Sequence, residues 1–283
     1  MIGKKSILFY IQQIILYTII TLVAIAMLFP FWHMFISMFR TNDQIASAKV
    51  KLWPEEGLLY FTNIEILIER NFLGNIWNTF VVSVARTIGI VLFSCMAGLA
   101  FAKFKFPGRK TLLYIIIFTM MIPSQISLIP NYLLISRLGW LNTYQALVIP
   151  ALASAFGIFM MRQYMSALPD EIIESSRLDG LSNWGILFRM AIPLTQAGLV
   201  VLSIITFMGS WNDFFWPLIV ITKEEMYTAT LRMATFMNTT LYDIVPMGSI
   251  MVGAFISSLP MIIIFIVFRE KMLSGILAGS VKA

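Results

Sequence analysis

The sequence predicts an all-α, polytopic membrane protein, on three observations. Of its 283 residues 59% are hydrophobic and 12% charged, against about half and a quarter in ordinary soluble domains. The mean hydropathy is +0.86. Uncharged stretches long enough to cross a hydrocarbon core of about 30 Å recur along the chain. Backbone groups in lipid must be satisfied internally, so these stretches are expected to be helices.

Six spans follow in order: roughly Ile11 to Met34, Asn75 to Ala102, Leu112 to Pro130, Tyr144 to Met161, Ile192 to Trp216 and Val245 to Phe268. The first follows Lys4 and Lys5 as a secretory signal would. Ser6 to Phe39 is too long for one and lacks a small-residue cleavage site, so it is expected to stay as an anchor. Placing both termini in the cytoplasm puts twelve of the 20 basic residues inside, among them Lys103, Lys105, Arg109, Lys110, Arg162, Arg177 and Arg189. Seven fall outside, so the positive-inside rule favours this orientation. The external stretch from Arg40 to Phe72 has a turn-like centre, Trp53-Pro54-Glu55-Glu56-Gly57, between short amphipathic pieces. It reads equally as a contact for an external partner or as a connector. No linker, repeat or low-complexity tract divides the chain, so 1–283 reads as a single membrane domain.

The net charge of +6 lacks the basic, aromatic-interleaved stripe of a nucleic-acid binder. Cys95 and His33 are the only residues of their types. That excludes an intrachain disulfide or a thiolate metal site and leaves little for intramembrane catalysis.

The polar insert between the fourth and fifth spans, about 162–190, holds most of the cytoplasmic acids. Pro169, Asp170 and Glu171 suit a first helical turn, and Gly180 suits a left-handed terminus. Ser182 then caps a second helix that Pro193 separates from the fifth span. A helix-turn-helix with Trp184, Leu187 and Phe188 among charges has the form of a docking element, although any loop between two spans must be polar.

Within the spans, Arg86 is the costly residue: it either lines a wet cavity or partner contact, or snorkels to the interface. Gln125, Ser127, Asn131 and Gln145 either line the same path or bond helices together. Asn212 and Asp213, in Trp211-Asn212-Asp213-Phe214, either line the outer mouth or cap and anchor. Pro123, Pro130, Pro150 and Pro193 interrupt helix in or beside the membrane.

Glu174-Ser175-Ser176-Arg177-Leu178-Asp179-Gly180 resembles the EAA loop of ATP-binding-cassette (ABC) importer permeases: a Glu, two small residues, two variable positions, Asp and Gly. Ser175 and Ser176 stand where alanines are common. The resemblance extends over nearly the whole chain and is specifically to the second permease subunit of maltose-type carbohydrate importers. It is carried by Phe39-Arg40-Thr41, Asn78-Thr79, Met121-Ile122-Pro123, Gly139-Trp140-Leu141-Asn142-Thr143, Trp211-Asn212-Asp213-Phe214 and Gly275-Ile276-Leu277-Ala278-Gly279-Ser280-Val281-Lys282.

That resemblance implies an ABC permease fold in a bacterial or archaeal cytoplasmic membrane. It further implies that Glu174 to Gly180 couple to an ATPase, with secondary contacts at Gly275, Gly279 and Lys282. The implied partners are a second permease subunit, an ATPase dimer, an external sugar-binding protein and membrane lipid. No phosphate-binding loop occurs in the sequence, so ATP and Mg are expected on the ATPase and no cofactor on this chain. Candidate pathway-lining residues are Arg86, Gln125, Asn212 and Asp213. The solute is expected to be an oligosaccharide, with a polyol, a glycerol phosphate ester or a peptide as the alternative. An uncoupled channel or carrier would leave the charged hairpin without a role.

Overall fold

A computed structural model describes residues 7–47, 53, 60–237 and 245–280, with side chains to residue 270. Lys4, Lys5, Lys49, Lys51, Pro54 to Gly57 and Lys282 lie outside the described residues. No strand occurs among the described residues. The helices are α1 (Ile7–Ser37), α2 (Asn42–Ala46), α3 (Thr62–Glu69), α4 (Phe72–Lys103), α5 (Arg109–Thr119), α6 (Leu128–Arg137), α7 (Tyr144–Val148), α8 (Ala155–Ser166) and α9 (Asp170–Leu178). They continue with α10 (Asn183–Gly185), α11 (Ile192–Leu194), α12 (Gln196–Trp211), α13 (Phe215–Val220), α14 (Ala229–Met237) and α15 (Met247–Ser280).

Among the described residues, three helices are long and apolar enough to cross a membrane: α1, α4 and the Met247–Glu270 part of α15. Three bent pairs pass the same test together, so six is the upper count of spans. The first pair bends by 93° between Thr119 and Ser124, the second by 45° between Ala151 and Ala155, and the third by 85° between Leu194 and Gln196. Each break lies at or within a few residues of Pro123, Pro150 or Pro193, as the missing backbone donor requires. Pro130 is accommodated in the first turn of α6. Ahead of Pro193 the chain forms a π-helical turn over Ile186–Ala191, a form that recurs where regular helix is interrupted.

Backbone contacts divide the chain into two units, Met1–Phe72 with Thr235–Ser258, and Leu73–Ala234 with Leu259–Ala283. In the first, buried Asn63 donates to the carbonyls of Met38 (2.9 Å) and Arg40 (2.8 Å), holding α3 beneath the turn that follows α1. Gln44 accepts from the Thr41 amide at 3.2 Å, which fixes the start of α2.

The second unit has two apolar cores. One gathers Cys95 and Leu99 of α4, Met161 and Met165 of α8, Ile173 of α9, Ile186, Leu187 and Ala191 of the π turn, and Leu202 of α12. Gly98 lets α4 and α8 meet there: a Cβ at that position would stand 2.9 Å from the backbone nitrogen of Arg162. The other core joins Val82 of α4, Ile135 of α6, Ala146 and Leu147 of α7, and Trp216 and Val220 of α13.

Candidate functional site: a docking hairpin and an intramembrane polar pocket

The hairpin forms as its residues dictate. α9 starts at Asp170 with Pro169 as its N-cap, one residue later than a proline in the first turn would give. Gly180 has φ +80°. Its amide donates to the Arg177 carbonyl (3.0 Å) and that of Leu181 to the Ser176 carbonyl (3.0 Å), the paired bonds of a Schellman terminus. Ser182 then accepts the Gly185 amide at 3.2 Å and starts α10.

One face of α9 is anchored. Ile173 and Ser176 are buried, and the Ser176 hydroxyl donates to the Ile172 carbonyl at 2.6 Å. A small residue is needed at that position; Ser175, one step round the helix, is exposed. Two ties hold α9 to the end of α4. The Lys103 ammonium pairs with Asp170 at 2.6 Å and also donates to the Leu168 carbonyl, while the Arg177 guanidinium lies 5.4 Å from the centre of the Phe104 ring. The Lys103 hydrogen bond, followed by the lysine's charge, holds the Asp170 carboxyl below the usual carboxylate range.

The opposite face is open. Glu174, Asp179 and Gly180 are exposed. Leu178 is 89% exposed, Trp184 58% and Phe188 50%, the two aromatics stacking at 6.2 Å. Leu187 is 3% exposed and belongs to the core instead of the outer face, in the same cluster as Ile186 and Ala191. Leu178 and the stacked Trp184 and Phe188 thus leave apolar surface open on a polar hairpin.

Arg86 occupies a different site. It is 6% exposed; its Nε donates to the Leu147 carbonyl at 2.6 Å and its Nη1 to Asp213 Oδ2 at 2.7 Å. The local chemistry has a clear origin. Pro150 has no N–H to offer the Ala146 carbonyl one turn earlier, and the Trp216 indole donates to that carbonyl instead at 2.8 Å. The next carbonyl, Leu147, goes to Arg86. Asp213 is fixed from the other side by the Trp216 amide, 3.4 Å from Oδ1.

A cavity of about 290 Å³ opens beside this ion pair, lined by Arg86, Gln125, Asp213, Ser124, Ser127 and Asn131, among others. Two of the three broken spans contribute to its wall, the first through Ser124 to Asn131 and the second through Pro150 and Ala151. Irregular backbone at membrane depth is tolerated where it is buried in protein or lines a watery cavity. Asn212 is exposed, donates back to the Met208 carbonyl at 2.9 Å and does not line this cavity. Gly275 and Gly279 lie on the last turns of α15.

Sequence reasoning gave Asn78-Thr79 no role beyond resemblance, yet with Asn75 they organise the loop before α14. Asn75 donates to the carbonyls of Glu224 and Tyr227, both at 3.1 Å, and Asn78 to Glu225 at 2.7 Å and Tyr227 at 3.1 Å. Thr79 accepts the Ala229 amide at 2.7 Å. Their spacing of three and four residues along α4 was the available signal. The Gly139 to Thr143 stretch is likewise explained: Gly139 has φ +71°, and Asn142, at φ 60°, accepts the amides of Thr222 (2.6 Å) and Lys223 (2.9 Å).

Residues 72–271 match the family described as binding-protein-dependent transport system inner membrane component. The chain is 30% identical over 264 residues to the arabinooligosaccharides transport system permease protein AraQ of Halalkalibacterium halodurans, covering 92% of this chain and 93% of the relative. It is 31% identical over 273 residues to the lactose transport system permease protein LacG of Rhizobium radiobacter, covering 96% and 97%. It is 27% identical over 275 residues to the sn-glycerol-3-phosphate transport system permease protein UgpE of Brucella abortus, covering 94% and 96%. Among solved structures, a chain of a bacterial ABC transporter involved in the import of the acidic polysaccharide alginate superposes with a TM-score of 0.82 at 22% identity, covering 95% of this chain and 99% of that one. The family match begins at the first residue of α4 and takes in both the hairpin and the Arg86 pocket; the chain belongs to the binding-protein-dependent transport system inner membrane component family.

Proposed function

We propose that this chain is one permease subunit of an ATP-driven ABC importer and supplies half of the membrane pathway for a carbohydrate, an oligosaccharide in the first instance, delivered by an external binding protein. The observation that carries the reading is the hairpin from α9 to the π turn, rooted in the α4, α8 and α12 core and presenting Leu178, Trp184 and Phe188 outward. In this reading 1–283 acts as one permease domain, and its partners are a second permease subunit, an ATPase dimer, the sugar-binding protein and membrane lipid. ATP and Mg bind the ATPase, and this chain catalyses no hydrolysis. Glu174 to Gly180 dock on that ATPase, with Gly275, Gly279 and Lys282 as secondary contacts. ATPase closure draws the hairpin inward and rocks the spans between inward-facing and outward-facing states. Arg86, Gln125 and Asp213 line the pathway through the polar cavity, with Asn212 near its outer end.

The test is ATP-dependent uptake into vesicles carrying the whole complex, with pulldown of the ATPase alongside. Proline fixes φ near −65°, opposite in sign to the +80° of Gly180, and removes the amide that bonds Arg177. Gly180→Pro is therefore expected to abolish uptake and weaken ATPase attachment in a correctly inserted subunit. Unchanged uptake and attachment would overturn the docking reading and restore the uncoupled channel. The glycerol phosphate relatives favour a second solute reading, which competition between unlabelled lactose and sn-glycerol 3-phosphate in the same assay separates.

A further inference from the structure

The turn from α4 to α5 carries a feature that neither docking nor the pathway uses. A cavity of about 540 Å³ is lined by Lys105, Arg109, Lys110 and Arg162, with Thr111 and Leu113 among its other walls and no carboxylate. These four cations line it together. Arg109 is held by backbone, donating to the carbonyls of Phe104 (3.1 Å) and Ala102 (3.4 Å). Arg162 is part-buried, and its Nε is buried with no hydrogen-bond partner. Of the hairpin carboxylates, Asp170 is taken by Lys103 at 2.6 Å, with the charge of Lys105 also acting on it, and Glu174 lines the adjoining cavity with Lys105 and Arg109. Burying the Arg162 Nε without a partner is costly, and the like charges lining the same cavity add repulsion, so the arrangement suits an anionic ligand.

The surroundings narrow that ligand. The cavity lies where two apolar segments end together, α4 at Lys103 and α5 at Arg109. It sits at the N-terminal, electropositive end of α5. The same helix leaves apolar side chains open beyond the cavity, for Leu112, Ile115 and Phe118 of α5 are 48%, 54% and 64% exposed. A soluble phosphate would answer the cations and leave that face unexplained. An amphiphile answers both.

We propose that Lys105, Arg109, Lys110 and Arg162 bind the phosphate headgroup of an anionic phospholipid whose acyl chains run along α5. The site lies on the same side of the membrane as the hairpin, because Lys103 ties the end of α4 to the start of α9. Under the orientation adopted from the basic residues, that side is the cytoplasmic leaflet.

The test is native mass spectrometry of the purified complete complex, titrated separately with phosphatidylglycerol and with phosphatidylcholine. Wild type is expected to retain phosphatidylglycerol preferentially. Lys110→Gln, an exposed change that leaves the fold alone, is expected to reduce that preference about fivefold, the contribution of about one basic residue near a charged surface. Arg162→Gln with Lys110→Gln is expected to bring it to the phosphatidylcholine level, with the subunits still assembled. Equal retention of the two lipids, or a preference unchanged in both variants, would overturn the proposal. Displacement of phosphatidylglycerol by millimolar inorganic phosphate would identify a soluble anion as the ligand, and loss of the ATPase instead of lipid would identify a protein contact; either overturns it. None of these outcomes depends on which solute is transported.

Discussion

Arg86 and Asp213, 127 residues apart, meet at 2.7 Å with side chains only 7% and 22% exposed. The pair joins α4 to the turn after α12 and leaves the polar cavity without surplus charge. Breaking such a pair strands the partner, at a cost of about 3–5 kcal/mol. Arg86→Met and Asp213→Asn are each expected to destabilise the complex by that amount. The double variant Arg86→Met with Asp213→Asn is expected to recover most of the loss, and a double-mutant cycle from thermal unfolding of the purified complex checks it.

Gly180 and Leu178 separate folding from docking. Gly180→Ala puts a Cβ on a left-handed residue, which costs about 1–2 kcal/mol, while no neighbour lies within 4 Å to clash with it. Its expected effect is a strained turn, poorer ATPase attachment and slower uptake. Leu178→Ser touches no core, so stability is expected to stay within about 0.5 kcal/mol of wild type. ATPase affinity, read by titration of purified subunits, is expected to fall about tenfold, as loss of an interface anchor does.

The Asp170 tie makes a prediction in pH. A carboxyl held below its ordinary value stabilises the native hairpin at every pH above the usual pKa of about 4. The contribution disappears as pH falls through the lowered value. A spin label at Ser175→Cys is therefore expected to keep its mobility from pH 8 to pH 5 and to loosen in more acidic buffer. In Asp170→Asn the label is expected to be looser throughout and insensitive to this titration. Because Asp170 is exposed, added salt is expected to mimic part of the acid effect.

Gly98 tests the close approach of α4 and α8. The atoms that a Cβ would meet, the Arg162 nitrogen at 2.9 Å and the Met161 carbonyl carbon at 3.0 Å, are backbone and cannot rotate away. Gly98→Ala is expected to cost about 1–3 kcal/mol through overpacking, measured as a lowered melting temperature of the assembled complex.

Apolar segments and the hairpin were legible because their signals are local: run length, Pro169, Gly180 and Ser182 act on neighbours within a turn or two. The bends of 93°, 45° and 85° were legible only as prolines, since their magnitude depends on what receives the freed carbonyls. For Ala146 that is Trp216, 70 residues away. The Arg86 and Asp213 partnership carries no periodicity at all, so each residue could be marked as costly but not matched. Leu187 defeated the pattern for another reason: its spacing groups it with Trp184 and Phe188, but it packs into the core with residues of α4, α8 and α12, contacts that a local pattern does not carry.

The two ties between α9 and the end of α4 turn a long helix into a lever. Arg86 sits 17 residues before Lys103, which at 1.5 Å per residue is about 25 Å along the α4 axis. If α4 tilts as a rigid rod by about 10° about its hairpin end, simple geometry over that length moves Arg86 by roughly 4 Å. That is wider than a water molecule, so a small tilt at the hairpin would displace one wall of the polar cavity by more than the width of a water.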